Sequence, residues 1–218
     1  LNWGCIPTKS LLRNAEVWET IQHADDYGVT FDNVSFDFSK IIARSRGIAE
    51  RMSKGVAFLF KKYKVEHIEA FGKLLGKNTI ATFDKDGKKL DEITAKHIIL
   101  ATGARPRSIP GIDIDGKHVI SYFEAMSLKK RPERLIVLGA GAIGVEFAYF
   151  YNALGSNVTS VEMLDHILPI EDEDVSKELE RSFRKKKIAL KTKHKVDSIS
   201  HGKGGVKVTV SSAKGEEV

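Results

Sequence analysis

Residues 134–148 read RLIVLGAGAIGVEFA, and the fold class is inferred from this segment first. Its apolar run Leu135–Leu138 is typical of a short buried strand, and it leads directly into a GxGxxG loop. In such a loop Gly139 permits the tight turn, Gly141 lets a pyrophosphate approach the backbone, and Gly144 lets helix and strand pack closely. The stretch therefore predicts a strand, a phosphate-binding loop and a helix in direct succession.

An acidic residue follows at the position that such a unit requires. A second strand is predicted over Val158–Val161, and Glu162 comes directly after it. A carboxylate there can accept hydrogen bonds from an adenosine ribose and would repel a 2′-phosphate. The residues from Met163 to His166 include no arginine, so the pattern favours NAD over NADP. A packing turn in an unrelated α/β protein remains the alternative interpretation of the loop.

The second half of the chain alternates strands and helices, whereas the first half does not. In the second half we predict strands at 135–138, 158–161, 188–200 and 206–211, the last two joined through HGKGG, and helices at 142–154 and 172–187. This alternation implies a parallel sheet with crossover helices. In the first half we predict helices at 5–24 and 38–62, strands at 65–70, 79–83, 90–93 and 97–100, and a DKDG turn. Asp37 is the predicted N-cap of the second helix, and the Pro- and Gly-rich residues 105–117 are the predicted linker.

Composition is ordinary for a globular protein and excludes several classes. Hydrophobic residues make up 42% and charged residues 29%, and no apolar run approaches the ~20 residues of a membrane span. The net charge of +6 is spread over the chain without a nucleic-acid recognition motif, so we expect neither nucleic-acid binding nor a membrane span. One cysteine excludes an internal disulfide, and no metal site is predicted.

That cysteine, Cys5, stands in LNWGCIPTKSLL at the start of the first predicted helix. The helix dipole favours a thiolate there, and Gly4 gives another group room to approach. Lys9 lies one turn along on the same helix face and could place a positive charge near a thiolate or cofactor. A buried structural cysteine is the alternative interpretation.

Three motifs together carry a family resemblance that covers essentially the whole chain. LNWGCIPTKSLL (1–12) resembles the redox-disulfide segment of the flavoprotein disulfide reductases, and HIILATGARP (97–106) resembles the segment that closes over FAD in that family. LGAGAIGVEFA (138–148), followed by VTSVEMLDHILPIEDEDVSKEL (158–179), is similar to the NAD domain of the dihydrolipoamide dehydrogenases in particular.

The resemblance implies an internal fragment of such an enzyme. In the family pattern a cysteine is followed by four residues and a second cysteine, so Cys5 corresponds to the second and the first would lie one position before Leu1. The implied fold is α/β with two Rossmann-like nucleotide-binding domains. Residues 1–113 would be a partial FAD-binding domain without its first strand and glycine loop, and residues 114–218 an NAD-binding domain that is incomplete at its C-terminal end. The interface domain would be absent.

The resemblance also assigns roles to particular residues. Catalytic roles fall on Cys5, Lys9 and Glu146, with Lys9 near the flavin and paired with Glu146. The implied FAD-binding residues are Lys9, Gly72, Thr102, Gly103 and Ala104. The implied NAD-binding residues are Gly139, Ala140, Gly141, Ala142, Ile143, Gly144, Val145, Glu146, Glu162 and Val196. A solvent-facing Glu146 and a core Val196 are the structural alternatives.

The implied activity passes electrons from dihydrolipoamide through the disulfide and FAD to NAD⁺. The implied partners are a lipoyl-bearing protein of a 2-oxo acid dehydrogenase or glycine cleavage complex, and a second copy of the full-length chain. We expect a cytoplasmic location, with an organellar matrix as the alternative. Mercuric reductase, glutathione reductase and a stand-alone dinucleotide-binding module without catalysis are the competing interpretations of the function.

Overall fold

A computed structural model describes residues 1–202, 204–213 and 215–217. The chain divides into two compact units. The larger unit comprises Leu1–Ser53 and Arg107–Val218, and the smaller unit comprises Lys54–Pro106. Within the described residues, no helix is both long enough and apolar enough to cross a membrane.

The elements mix helices and short strands, which confirms the α/β class. The helices are α1 (Cys5–Gln22), a 3-10 turn (Ala24–Tyr27), α2 (Phe38–Lys62), α3 (Tyr122–Ala125), α4 (Ala142–Ala153) and α5 (Glu173–Lys185). The strands are β1 (Phe71–Leu74), β2 (Thr79–Phe83), β3 (Lys89–Thr94), β4 (Arg134–Leu138), β5 (Asn157–Val161), β6 (Ala189–Lys191), β7 (Lys195–Gly202), β8 (Gly205–Ser212) and β9 (Gly215–Glu217).

The predicted parallel sheet is present in the larger unit. Strands β4, β5 and β6 lie side by side in that order and pair in parallel, with α4 connecting the first two and α5 the last two. Leu138 stands opposite Val161, so β4 and β5 end at the same edge of the sheet. Backbone loops that follow these two strands are thereby brought together, which is where open α/β sheets bind ligands.

One apolar core joins the helices of the larger unit to this sheet. Its fully buried members include Leu11 of α1, Phe150 and Tyr151 of α4, and Val158 of β5. The Tyr151 hydroxyl donates to the Ala125 carbonyl oxygen at 2.6 Å, so the polar atom that this ring carries into the core is satisfied. Helix α4 is mostly buried because it packs between α1 and the sheet.

A predicted single strand at 188–200 is wrong, because the structure breaks it into β6 and β7. Between them Lys193 has a φ of 58°, a left-handed conformation that ends a strand, and its N–H donates to the Leu164 carbonyl at 2.8 Å. Strands β7, β8 and β9 form a separate antiparallel sheet. Lys203, in the predicted HGKGG turn, lies outside the described residues.

The smaller unit contains the antiparallel sheet β1–β2–β3. The predicted DKDG turn is confirmed, since the Gly87 N–H donates to the Asp84 carbonyl at 3.2 Å. Strand β2 and the core of β3 are also confirmed.

Two predicted strands of this unit are wrong. Residues 65–70 form no strand. Lys64 is left-handed and the Val65 N–H donates back to the Phe60 carbonyl at 2.9 Å, so this segment starts with the turn that caps α2. Residues 97–100 form no strand either. Ile99 and Leu100 are 90% and 65% exposed, and none of the described strands pairs with them.

Helix α2 follows its prediction, including its start. Asp37 Oδ1 accepts a hydrogen bond from the Lys40 N–H at 3.2 Å, which confirms Asp37 as the N-cap. Bonds from the Ser39 hydroxyl and this N–H lower the pKa of Asp37. The helix continues through Gly47 and Gly55 without a break.

A polar cluster ties α1 to α4 and to the end of α5. Glu19 accepts hydrogen bonds from the Tyr149 hydroxyl at 2.8 Å and from the Lys186 ammonium at 2.5 Å. The Lys186 ammonium also lies 5.3 Å from the Tyr149 ring centre. Burial, followed by the bond to Glu19, raises the pKa of Tyr149 above its ordinary value, so the hydroxyl keeps its proton and stays a donor at neutral pH.

We predict that Glu19→Ala lowers the free energy of unfolding of the larger unit by about 1–3 kcal/mol, because a half-buried hydroxyl and a half-buried ammonium both lose their acceptor. Urea unfolding followed by tryptophan fluorescence measures this, since Trp3 and Trp18 both belong to the larger unit. The matched control is Glu16→Ala.

Glu16 lies on the same helix, but its pair with Arg13 is an exposed one, with side chains 60% and 61% accessible. The control should therefore change stability by less than about 0.5 kcal/mol. Equal effects of the two substitutions would show that the Glu19 cluster contributes no more than a surface pair.

Candidate functional site

The glycine loop begins with a turn that requires glycine. Gly139 has a φ of 90°, a left-handed conformation that side chains with a Cβ atom rarely adopt. Its N–H donates to the Val161 carbonyl at 2.8 Å, so the chain leaves β4 while still bonded to the end of β5. This bond fixes where the loop starts relative to the sheet.

Gly144 is required for a different reason, because there is no space for a side chain at its position. A Cβ atom at this position would lie 1.9 Å from the Gly139 carbonyl oxygen and 3.4 Å from the Val137 side chain. Only a glycine lets the first turn of α4 pack this closely on β4. The contact sets the direction in which α4 leaves the sheet.

Gly141 differs from both, because the space beside it is open. It precedes the first residue of α4 with a φ of −72° and a ψ of −178°. Among the described residues, no atom outside its immediate neighbours lies within 4 Å of a Cβ built there. The next two residues, Ala142 and Ile143, are both exposed, and Ile143 is 58% accessible. The first N–H groups of a helix have no partner within the helix, so this open space faces the positive end of α4. The arrangement suits an anionic group such as a pyrophosphate.

Glu162 lies beside the loop and is bonded to it. One carboxylate oxygen accepts the Ala140 N–H at 2.8 Å and the other accepts the Leu164 N–H at 3.0 Å. The residue is only 9% exposed, and its own N–H donates to the Lys191 carbonyl at 2.8 Å. The carboxylate therefore ties the loop to the segment after β5, while the backbone N–H of the same residue bonds to the end of β6. Each carboxylate oxygen retains capacity for a further donor.

The remaining predicted nucleotide residues lie around this loop or within the core. Ala140 and Val145 are buried, while Ala142 is exposed at the start of α4. Val196 of β7 is half-buried and packs in a small apolar cluster with Val161, the residue before Glu162. The structure thus places Val196 near the acidic end of β5, and its role toward an adenine stays a prediction.

The structure also brings Cys5, Lys9 and Glu146 into one region of the larger unit. Cys5 is the first residue of α1 and is exposed. One turn later the Lys9 ammonium forms an ion pair with the Glu146 carboxylate of α4, and the two side chains are 62% and 25% exposed. The pair joins the helix that carries the cysteine to the helix that begins at the glycine loop.

A brace that the sequence did not predict holds the segment before Cys5. The Arg46 guanidinium lies 4.1 Å from the centre of the Trp3 ring and donates to the Asn2 carbonyl at 2.6 Å. On another side, Trp3 lies 5.1 Å from the Phe123 ring. Trp3, two residues before Cys5, was the feature of the sequence that could have suggested these contacts. Its partners Arg46 and Phe123 lie too far away in the sequence to be predicted from it.

The residues implied for FAD do not all fall in one unit. Gly72 lies in β1, and residues 102–104 have no regular secondary structure; all four belong to the smaller unit. Gly103 has a φ of 82°, which explains a glycine at this point of the loop. Lys9 belongs to the larger unit. The FAD-binding roles therefore stay predictions.

Over its whole length, residues 1–218, the chain matches the family described as pyridine nucleotide-disulphide oxidoreductase. The chain belongs to this family. Membership agrees with the loop, the acidic residue and the cysteine segment described above.

Two curated bacterial relatives are both named dihydrolipoyl dehydrogenase. The chain is 43% identical to dihydrolipoyl dehydrogenase of Zymomonas mobilis over 99% of its own length, and 45% identical to dihydrolipoyl dehydrogenase of Chlorobaculum tepidum over 94%. It covers 46% and 44% of those two proteins, so the chain spans about half the length of the curated relatives it matches.

Solved structures of similar proteins share the fold. The chain superposes on LpdA of Mycobacterium tuberculosis with a TM-score of 0.86 at 28% identity, covering 98% of this chain and 46% of that one. The HOCl-induced flavoprotein disulfide reductase RclA of Escherichia coli, in its Cu(II) complex, gives a TM-score of 0.78 at 27% identity, covering 99% and 45%.

We predict that alanine substitution destabilises the protein strongly at Gly144 and only slightly at Gly141, both in the glycine loop. Gly144→Ala should prevent α4 from packing on β4, because its Cβ would overlap the Gly139 carbonyl, and should cost several kcal/mol of stability, about 3 or more. Gly141→Ala should cost less than about 1 kcal/mol, because its backbone angles suit alanine and the space is open. Urea unfolding of the two variants measures the difference. Comparable losses would contradict the close packing at Gly144.

Proposed function

We propose that the chain is the part of an NAD-dependent dihydrolipoyl dehydrogenase that carries its electron-accepting cysteine and its NAD⁺ site. The observation that supports this proposal most is the Lys9–Glu146 ion pair. It joins α1, which carries Cys5, to α4, which starts at the glycine loop. The electron-accepting cysteine and the nucleotide-binding loop therefore lie on neighbouring helices. The two curated relatives described above have this activity in their names.

At the nucleotide end, the loop offers what a dinucleotide pyrophosphate needs. The open space beside Gly141 admits the phosphates, and the start of α4 supplies backbone N–H donors. Because Gly139 and Gly144 already fix the loop by a hydrogen bond and by packing, little ordering remains to be done on binding. We assign the pyrophosphate contacts to residues 139–145.

Glu162 then selects NAD⁺ over NADP⁺. Its two bonds to the Ala140 and Leu164 N–H groups keep the carboxylate in place, with remaining lone pairs for the ribose hydroxyls. A fixed negative charge at that point would repel a 2′-phosphate. Val196, packed beside the end of β5, is assigned to the adenine side of the site.

At the sulfur end, Cys5 forms a disulfide with the cysteine that the family pattern places before residue 1. A dihydrolipoamide thiolate attacks the sulfur of that partner cysteine, forms a mixed disulfide and releases Cys5 as a thiolate. The second substrate thiol then attacks the substrate sulfur of the mixed disulfide, which closes the lipoamide ring and releases the partner cysteine as a thiolate. Two electrons and two protons have then left the substrate. FAD, when bound, would supply two-electron redox chemistry between this dithiol and NAD⁺.

Lys9 and Glu146 assist the step that leaves Cys5 as a thiolate. An ammonium one turn from Cys5 stabilises a thiolate by charge, and we place it against the flavin ring. Glu146 orients the ammonium through the ion pair. Gly72, Thr102, Gly103 and Ala104 are proposed as backbone contacts to FAD, and this agrees with the similarity to the E. coli protein RclA, which is named a flavoprotein disulfide reductase.

The proposed organisation has two Rossmann-like domains, with residues 1–113 serving FAD and residues 114–218 serving NAD. The proposed electron donor is a lipoyl-bearing protein of a 2-oxo acid dehydrogenase or glycine cleavage complex. A protein of the relatives' full length should be a homodimer. Curated relatives of bacterial origin support a cytoplasmic location, and mitochondrial relatives of Arabidopsis thaliana keep an organellar one open.

The test is a steady-state assay on a protein that carries this chain at the full length of its relatives. With dihydrolipoamide as the reductant, NAD⁺ should be reduced at a far higher kcat/KM than NADP⁺. Glu162→Gln should lower the ratio of the two kcat/KM values at least about tenfold, because it removes the charge that repels the 2′-phosphate. General damage to the loop would lower both kcat/KM values together, so a change in their ratio reports the loss of the negative charge.

Glu171→Gln, an exposed acid after the same strand, is the control and should leave the ratio unchanged. Two outcomes would count against the proposal separately. The assigned substrate would be wrong if the wild-type protein reduced NAD⁺ with other reductants as well as it does with dihydrolipoamide. An unchanged ratio in Glu162→Gln would show that nucleotide selection lies elsewhere.

A further inference from the structure

One carboxylate closes the loop from Asp115 to Val119 in the larger unit. Asp115 Oδ1 accepts hydrogen bonds from the backbone N–H groups of Lys117, His118 and Val119 at 2.7, 2.8 and 2.9 Å. These three bonds hold the carboxylate in one orientation. With Oδ1 occupied by three donors, Oδ2 is the oxygen that remains available for another partner.

That second oxygen faces two imidazole rings. Asp115 Oδ2 lies 4.0 Å from His118 Nδ1 and 3.8 Å from His201 Nε2. His118 belongs to the same loop, whereas His201 stands near the end of β7. The two rings meet edge to face, with centroids 5.6 Å apart. One ligand atom from each of the three residues lies within 4.8 Å of the other two.

The chemistry and spacing of these three groups suit a transition-metal ion. Two imidazoles with one carboxylate are donors that Zn²⁺, Ni²⁺ and Cu²⁺ prefer, whereas Mg²⁺ and Ca²⁺ prefer oxygen alone. At Zn–N and Zn–O distances of about 2.1 Å, tetrahedral ligand atoms are roughly 3.4 Å apart. The observed carboxylate–imidazole distances of 3.8 and 4.0 Å exceed this by about 0.4 and 0.6 Å, and the two imidazole ligand atoms lie within 4.8 Å of each other. The His118 and His201 side chains are 52% and 60% exposed and so have room to turn inward.

We propose that Asp115, His118 and His201 form a binding site for a divalent transition-metal ion, with water completing the coordination. The site shares no residue with the glycine loop or the Cys5 segment, and it lies wholly within the larger unit. A bound ion would tie the loop that leads to α3 to the β7–β8 hairpin. Its chemical role is a structural clamp, because the three protein ligands come from two segments that lie far apart in the sequence.

The test is calorimetric titration of the chain with Zn²⁺, performed in a Cys5→Ser background so that the exposed thiol cannot take up the ion. One equivalent should bind, and Mg²⁺ should not compete. Asp115→Asn, His118→Ala and His201→Ala should each weaken the affinity at least about tenfold. Asp115→Asn is the most informative of these, because its amide oxygen can still accept the three loop N–H bonds while its NH₂ group cannot bind a cation.

His67→Ala is the matched control, since His67 is an exposed histidine of the smaller unit. It should leave the affinity unchanged. Thermal unfolding provides a second measurement: Zn²⁺ should raise the melting temperature of the Cys5→Ser chain and leave that of Asp115→Asn unaffected. Absence of Zn²⁺ uptake would overturn the proposal. So would wild-type affinity in Asp115→Asn or His201→Ala, because the ion would then be held by other groups.

Discussion

The close contact between Gly144 and the Gly139 carbonyl fixes α4, and α4 connects the phosphate-binding loop to the helix that carries Cys5. With no side chain between them, the first turn of α4 rests directly on the end of β4. The same helix buries its middle against α1 and the sheet, and it presents Glu146 to Lys9. A change of a single methyl group at this contact would therefore shift the phosphate-binding end of the site and its sulfur end together.

Glu162 adds a second constraint that is electrostatic. A nearly buried carboxylate is unfavourable unless donors surround it, and the Ala140 and Leu164 N–H groups supply them. The loop is thus preorganised before any ligand arrives, and the proposed ribose contact uses a group that already has a structural task. This double use explains why the acid is placed at the end of β5, where the loop backbone comes within hydrogen-bonding distance.

The sequence predicted the parts of the molecule whose causes are local. The glycine loop, α4 and Glu162 follow one another within a short stretch, so strand, turn and helix signals reinforce each other. The strands predicted at 65–70 and 97–100 failed because a strand also needs a neighbour, and apolar residues alone do not provide one. The brace on Trp3 and the cluster of Asp115 with His201 join residues far apart in the chain, and no spacing rule reveals such pairs. The Lys9–Glu146 pair was anticipated through family resemblance and because an unpaired charge would be costly in the apolar run around Glu146.

The proposed mechanism depends on Cys5 taking part in electron transfer to the nucleotide held by α4. Its most direct test is Cys5→Ser in a protein carrying this chain at the full length of its relatives. We predict that dihydrolipoamide-dependent NAD⁺ reduction is abolished while NAD⁺ binding is retained, because disulfide exchange needs both sulfurs and the glycine loop does not depend on the thiol. A fall in activity of less than about tenfold, or ~1.4 kcal/mol of barrier, would contradict the mechanism and make Cys5 a structural residue.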